Sequence, residues 1–134
     1  MADHDNNRER FLALTEVLLG AWDFLSALLT DLPIPVIIPD LVEIIDQDGD
    51  PTEALVALHR VRQVIEDEPV AEQHKRCLVN MTLDWFTAYE VLGLVQMAGP
   101  APWRLDLAEV ALERFMTWTE ILDEIEGEPG DDKS

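Results

Sequence analysis

The sequence predicts an all-α fold: a single compact bundle of about five helices, with a mostly buried N-terminal helix and a proline-rich extended connector. Three observations predict it. Apolar residues recur at steps of three and four along most of the chain, the spacing of one helical face. An acid followed three residues later by glutamate stands ahead of an apolar run at Asp40, Asp50 and Asp106, which is the signature of a helix N-cap. No stretch shows the clear apolar–polar alternation of a half-buried strand. A chain of 134 residues suits one domain with a real core. Residues 1–127 are expected to form it, with 128–134 as a disordered acidic tail.

The first helix is expected over about Asn7 to Thr30. Phe11, Leu14, Leu18, Trp22, Leu25 and Leu29 keep helical spacing, and Leu12, Val17, Leu19, Phe24 and Leu28 widen the apolar face well beyond one stripe. Only Glu9, Glu16 and Asp23, seven apart, mark a narrow wet line, so the helix reads as buried nearly all round. Ala13, Gly20 and Ala27, also seven apart, form a small-residue groove where another helix can approach. The breadth of the apolar face predicts either the centre of the fold or the seam of a homodimer.

Residues 31–39, DLPIPVIIP, break the pattern. Three prolines fix φ and remove backbone donors, and they bias the residues before them toward extended conformations. Ile34, Val36, Ile37 and Ile38 still need burial, either over the chain's own core or as an apolar arm against another chain. A short second helix follows from Leu41 to Asp46. A third starts at Pro51, with Leu55, Leu58, Val61 and Ile65 inward, and stops before Pro69. Pro51 suits the first helical position, where its missing N–H has no intrahelical acceptor anyway. The fourth helix is expected from near Pro69 to Met97, ended by Gly99 and Pro100. The fifth is expected from Asp106, the third cap, to Glu126.

Charge is the outlier. Aspartate and glutamate number 28 against nine lysines and arginines, a formal net charge of −19, and no basic residue occurs between Phe11 and His59. Such a surface repels nucleic acid and anionic membrane and attracts basic protein surfaces. The N-terminus lacks a basic region ahead of an apolar stretch, which argues against a secretory signal, and Glu16 and Asp23 interrupt the most apolar segment. A soluble, cytoplasmic protein is expected. Cys77 is the single cysteine, so no internal disulfide is possible.

Residues 46–50, DQDGD, raise the question of a calcium loop. An EF-hand needs glycine at position six and a bidentate glutamate at twelve. Counting from Asp46, those positions hold Pro51 and Ala57, so the match fails at both and capping explains the acids better. His74 and Cys77 lie one helical turn apart, but two ligands are too few for a metal site. No Gly-x-Ser-x-Gly, phosphate-binding glycine loop or Glu-x-x-His pair is present. No catalytic residue, metal or cofactor is expected.

Two acidic clusters remain: six acids from Asp40 to Glu53 and seven from Glu120 to Asp132, neither containing a basic residue. Carboxylates on rigid helices can reproduce the charge spacing of a phosphate backbone. In size and charge density the chain resembles nucleic-acid mimics encoded by phages and mobile elements. The leading expectation is a non-enzymatic binding protein acting on a basic protein partner, an inhibitor occupying a nucleic-acid-binding surface. Its contacts are expected at Asp40, Glu43, Asp46, Asp48, Asp50, Glu53, Glu120, Asp123 and Glu124. The alternatives are an accessory subunit that assembles through apolar surface, including Ile34, Val36, Ile37 and Ile38, and an enzyme or metal protein without a local motif.

Overall fold

The computed structural model describes residues 2–127, with side chains from 6 to 125; the tail expected at 128–134 lies outside them. Five α-helices are present among the described residues: α1 (Ala2–Thr30), α2 (Leu41–Asp46), α3 (Thr52–Val64), α4 (Glu72–Ala98) and α5 (Pro102–Gly127). A single 3-10 turn, Ile65–Asp67, extends α3. The described residues contain no strand. α4 and α5 form the most extensive pair, α1 packs against both, α2 sits on α1, and α3 sits on α4.

Most boundaries follow from the caps. Asp40 precedes α2 in an extended conformation, and its Oδ1 accepts from the Glu43 backbone N–H at 3.2 Å. Asp50 Oδ1 accepts from the Thr52 backbone N–H at 3.0 Å and from the Thr52 hydroxyl at 2.7 Å, so it braces the start of α3, although the helix begins at Thr52 with Pro51, not Asp50, at the cap position. α4 begins at Glu72, not near Pro69, because Glu68 ahead of the proline is extended (φ −69°, ψ 139°) and Ala71 is extended too. Gly99 ends α4 with φ 105°, a value that favours glycine.

The third expected cap is wrong. α5 starts at Pro102, four residues before Asp106, with the Ala101 carbonyl accepting from Arg104 and Leu105. Pro102 is the residue suited to a first helical position. Asp106 and Glu109, a turn inside the helix, instead hold Arg10 of α1: its Nη2 meets Asp106 Oδ1 at 2.7 Å and also bonds Glu109 Oε1.

The core is built around two tryptophans. Trp22 and Trp85 are buried and meet edge-on, with ring centroids 5.0 Å apart. Trp85 Nε1 donates to the Leu18 carbonyl at 2.9 Å, and Trp22 Nε1 to the Pro39 carbonyl at 3.1 Å. Leu25, Leu29, Leu58, Leu78, Met81 and Phe115 close the rest. Among the described residues no buried side-chain polar atom lacks a partner.

α1 buries one face rather than its whole circumference. Leu18, Ala21, Trp22, Leu25 and Leu29 are in the core, but Ala13, Val17, Gly20, Phe24 and Ala27 line the opposite, exposed side. Both faces are apolar, so periodicity alone does not tell the packed face from the open one. By length and hydropathy, Asn6–Thr30 would also suit a membrane span, a test that the core helix of a soluble bundle passes as well.

Residues 31–40 form no helix and lie over the bundle. The Val36 N–H returns to the Leu29 carbonyl at 3.0 Å, and the Ile34 N–H donates to the buried Glu68 carboxylate at 3.0 Å. Val36 and Ile38 are spent on the protein's own core, which corrects their place among the expected interface residues. Ile34 and Ile37, 56% and 73% exposed, remain on the surface.

Candidate functional site

The first acidic run occupies α2, the turn after it and the first turn of α3. Asp40, Glu43, Asp46, Asp48, Asp50 and Glu53 are all exposed, and among the described residues none forms an ion pair. Asp40 and Asp50 are tied down by their bonds to backbone N–H groups, and Glu43 accepts from Gln47 Nε2 at 3.3 Å. The Thr52 hydroxyl and backbone N–H hold the Asp50 carboxyl below its ordinary pKa, so it stays ionised.

Asp48 has a structural role that the spacing of acids does not reveal. After α2 the Gly49 N–H bonds the Ile44 carbonyl at 2.8 Å and the Asp48 N–H bonds the Ile45 carbonyl at 3.0 Å. This is the paired closure of a Schellman motif, and its left-handed position is Asp48, with φ 57°. Glycine normally takes that position. Here Gly49 comes one residue later, where an added Cβ would stand 3.1 Å from Ile44 Cγ2 and 3.2 Å from its carbonyl oxygen. The stretch DQDGDPT is therefore a helix stop joined directly to a helix start. The few residues between α2 and α3 leave no twelve-residue calcium loop.

Sequence reasoning missed Asp23 as a member of this face. It is exposed on α1, and its carboxyl is raised first by partial desolvation and then by the charge of Asp40. The structure thus brings an α1 acid within electrostatic reach of the α2 cap, a non-local pairing that spacing could not show.

Glu120, Asp123 and Glu124 are exposed on α5, at spacings of three and four that put them on one side of the helix. α5 has no substantial packing against α2, so these acids form a separate group. Glu124 stands in the last turn of α5, where a carboxylate opposes the macrodipole.

Four of the cations cluster elsewhere. Arg60, Arg62, Lys75 and Arg76 lie at the end of α3 and the start of α4, where Lys75 Nζ bonds the Glu66 carbonyl at 2.6 Å and Glu72 Oε2 at 3.3 Å. Cys77 is buried, and desolvation pushes its thiol up, against the activation that a nucleophile needs. Among the described residues no group of three or more His, Cys, Asp or Glu is placed to hold a metal ion.

Comparison of the chain with protein-family models, with curated proteins and with solved structures finds no match.

Proposed function

We propose that the protein is a non-enzymatic acidic binding protein whose α2–α3 face occupies a basic, nucleic-acid-binding surface of a partner protein. One observation carries the reading: among the described residues, six exposed carboxylates in one continuous segment have no ion-pair partner. Asp48 supports it further, since a non-glycine residue in the left-handed region costs energy that the charge does not repay within the fold. Carboxylates fixed on short rigid elements meet a phosphate-binding surface with little ordering cost. The test is competition. The partner's affinity for DNA or RNA should fall as this protein is added at low salt, and the Asp46, Asp48 and Asp50→Lys triple variant should not compete. Undiminished nucleic-acid binding by a partner saturated with this protein would refute the proposal.

A second reading, assembly through apolar surface, is favoured by the open face of α1. Val17 and Phe24 are 47% and 45% exposed, and with Gly20, Met116 and Leu112 they line an apolar groove between α1 and α5. A homodimer formed there would cover the stripe.

A further inference from the structure

An apolar cleft of about 210 Å³ opens between α1, α2 and α4. Phe11 and Leu19 of α1, Ile45 of α2, and Tyr89, Gly93 and Gln96 of α4 are among the residues lining it. Its size decides what it can hold. Sites for cofactors and drug-sized ligands run to roughly 300–1,000 Å³, so this one suits a single large side chain. Its wall is rigid, because Tyr89 stacks on the buried Trp85 at 5.2 Å with the planes 14° apart. The position without a side chain is part of the space: a Cβ on Gly93 would meet nothing within 4 Å. Gln96, exposed on α4, offers a hydrogen-bonding group among the lining residues.

One end of the cleft carries charge. Leu41 lines it from α2 directly after the cap Asp40, and Asp23 of α1, one helical turn past the lining Leu19, lies within electrostatic reach of Asp40. An apolar slot with exposed carboxylates at one end is complementary to a cationic segment with one large apolar residue. We infer that the partner docks a lysine- or arginine-rich segment here, inserting one leucine or aromatic side chain into the cleft while its cations meet Asp23 and Asp40. This rests on the acidic-face reading and adds the contact that would give it specificity, since charge alone discriminates poorly among basic partners.

The experiment uses two labelled lysine-rich peptides that differ only by one central leucine or alanine, titrated at low and high salt by fluorescence anisotropy. The wild-type protein should bind the leucine peptide about tenfold more tightly than its alanine twin, the size expected for burying one such side chain. Gly93→Leu fills the cleft and improves helix propensity, so it should remove the preference for the leucine peptide over its alanine twin. Ile45→Gln, at a half-open position, is the second variant and should also reduce the preference, with circular dichroism confirming that both variants fold. Equal affinity of the twins for wild type, or a preference that survives in both variants, overturns the inference. If the twins bind equally but with steep salt dependence, the acidic face stands and the cleft contact alone fails. If neither peptide binds at low salt, both readings fail. Self-association of the wild type that Gly93→Leu abolishes would reassign the cleft to a second copy and overturn the inference.

Discussion

Trp85 of α4 donates its indole N–H to the Leu18 carbonyl of α1 at 2.9 Å, in a site closed to water. That bond fixes the crossing of the two long helices beneath both the cleft and the α2 face. Trp85→Phe removes the donor and part of a fully buried ring. It should destabilise the fold by about 2–3 kcal/mol, about 1 from the bond and the rest from lost packing. Urea unfolding followed by circular dichroism checks this, and a change under about 0.5 kcal/mol would show that the crossing does not depend on the bond.

Asp48 and Gly49 should respond in opposite directions. Asp48→Gly relieves the left-handed conformation at φ 57° and should stabilise by about 0.5–1 kcal/mol. Gly49→Ala brings a Cβ close to Ile44 and should destabilise. Asp48→Gly also removes a charge from the acidic face, so it should weaken partner binding while raising the unfolding midpoint. A variant that gains stability and keeps full affinity would remove Asp48 from the binding face.

Asp84 sets part of the pH dependence. Desolvation raises its carboxyl pKa above the ordinary 3.8, opposed by Arg114 and by the Trp118 indole, which donates to Oδ2 at 3.1 Å. A carboxyl with a raised folded pKa binds its proton more readily folded than unfolded. Its contribution to stability therefore falls as pH rises from 3.8 through the raised value, and Asp23 acts in the same direction. Asp50, held low, opposes them only as pH falls below its ordinary 3.8. Relief of self-repulsion among the many acids adds to the effect. Stability should hold or rise as pH falls from about 7 to about 5. Asp84→Asn keeps an acceptor for Trp118 and should make the rise shallower. Urea midpoints across this range that fall on acidification would contradict the assignment.

These details show where the sequence was readable. The cap at Asp40 and the brace at Asp50 were legible because their signals are local: an acid, a helix start and a short reach to a backbone N–H. The same signal misled at Asp106, because Pro102, four residues earlier, was the stronger start and Asp106 was engaged by Arg10, 96 positions away. Asp48 is legible in sequence as an acid of the face but not as the left-handed turn residue, because Gly49 beside it looks like the natural occupant of that position. The open side of α1 was hidden by composition, since Val17 and Phe24 on the surface look no different in sequence from Leu25 and Leu29 in the core. Of the candidate site, the α2–α3 acids and their exposure followed from charge and capping. Asp23 and the cleft needed the tertiary packing of α1, α2 and α4.

The exposed stripe on α1 predicts self-association. Sedimentation of the wild type should show a dimer whose population rises with concentration, and Phe24→Lys should shift it to monomer without altering helicity. A wild type that stays monomeric up to about 100 µM would exclude assembly through this face at ordinary affinities.

The central claim is that the α2–α3 carboxylates are the binding surface, and salt tests it most directly. A partner captured from native lysate should be titrated with the wild type and with the Asp46, Asp48 and Asp50→Lys variant at about 50 and about 500 mM salt, where screening shortens from over 10 Å to about 4 Å. The account predicts that wild-type affinity falls at least about tenfold at the higher salt and that the variant, folded by circular dichroism, binds more weakly at both. Affinity that does not change with salt, or a triple variant that binds as well as the wild type, would contradict it.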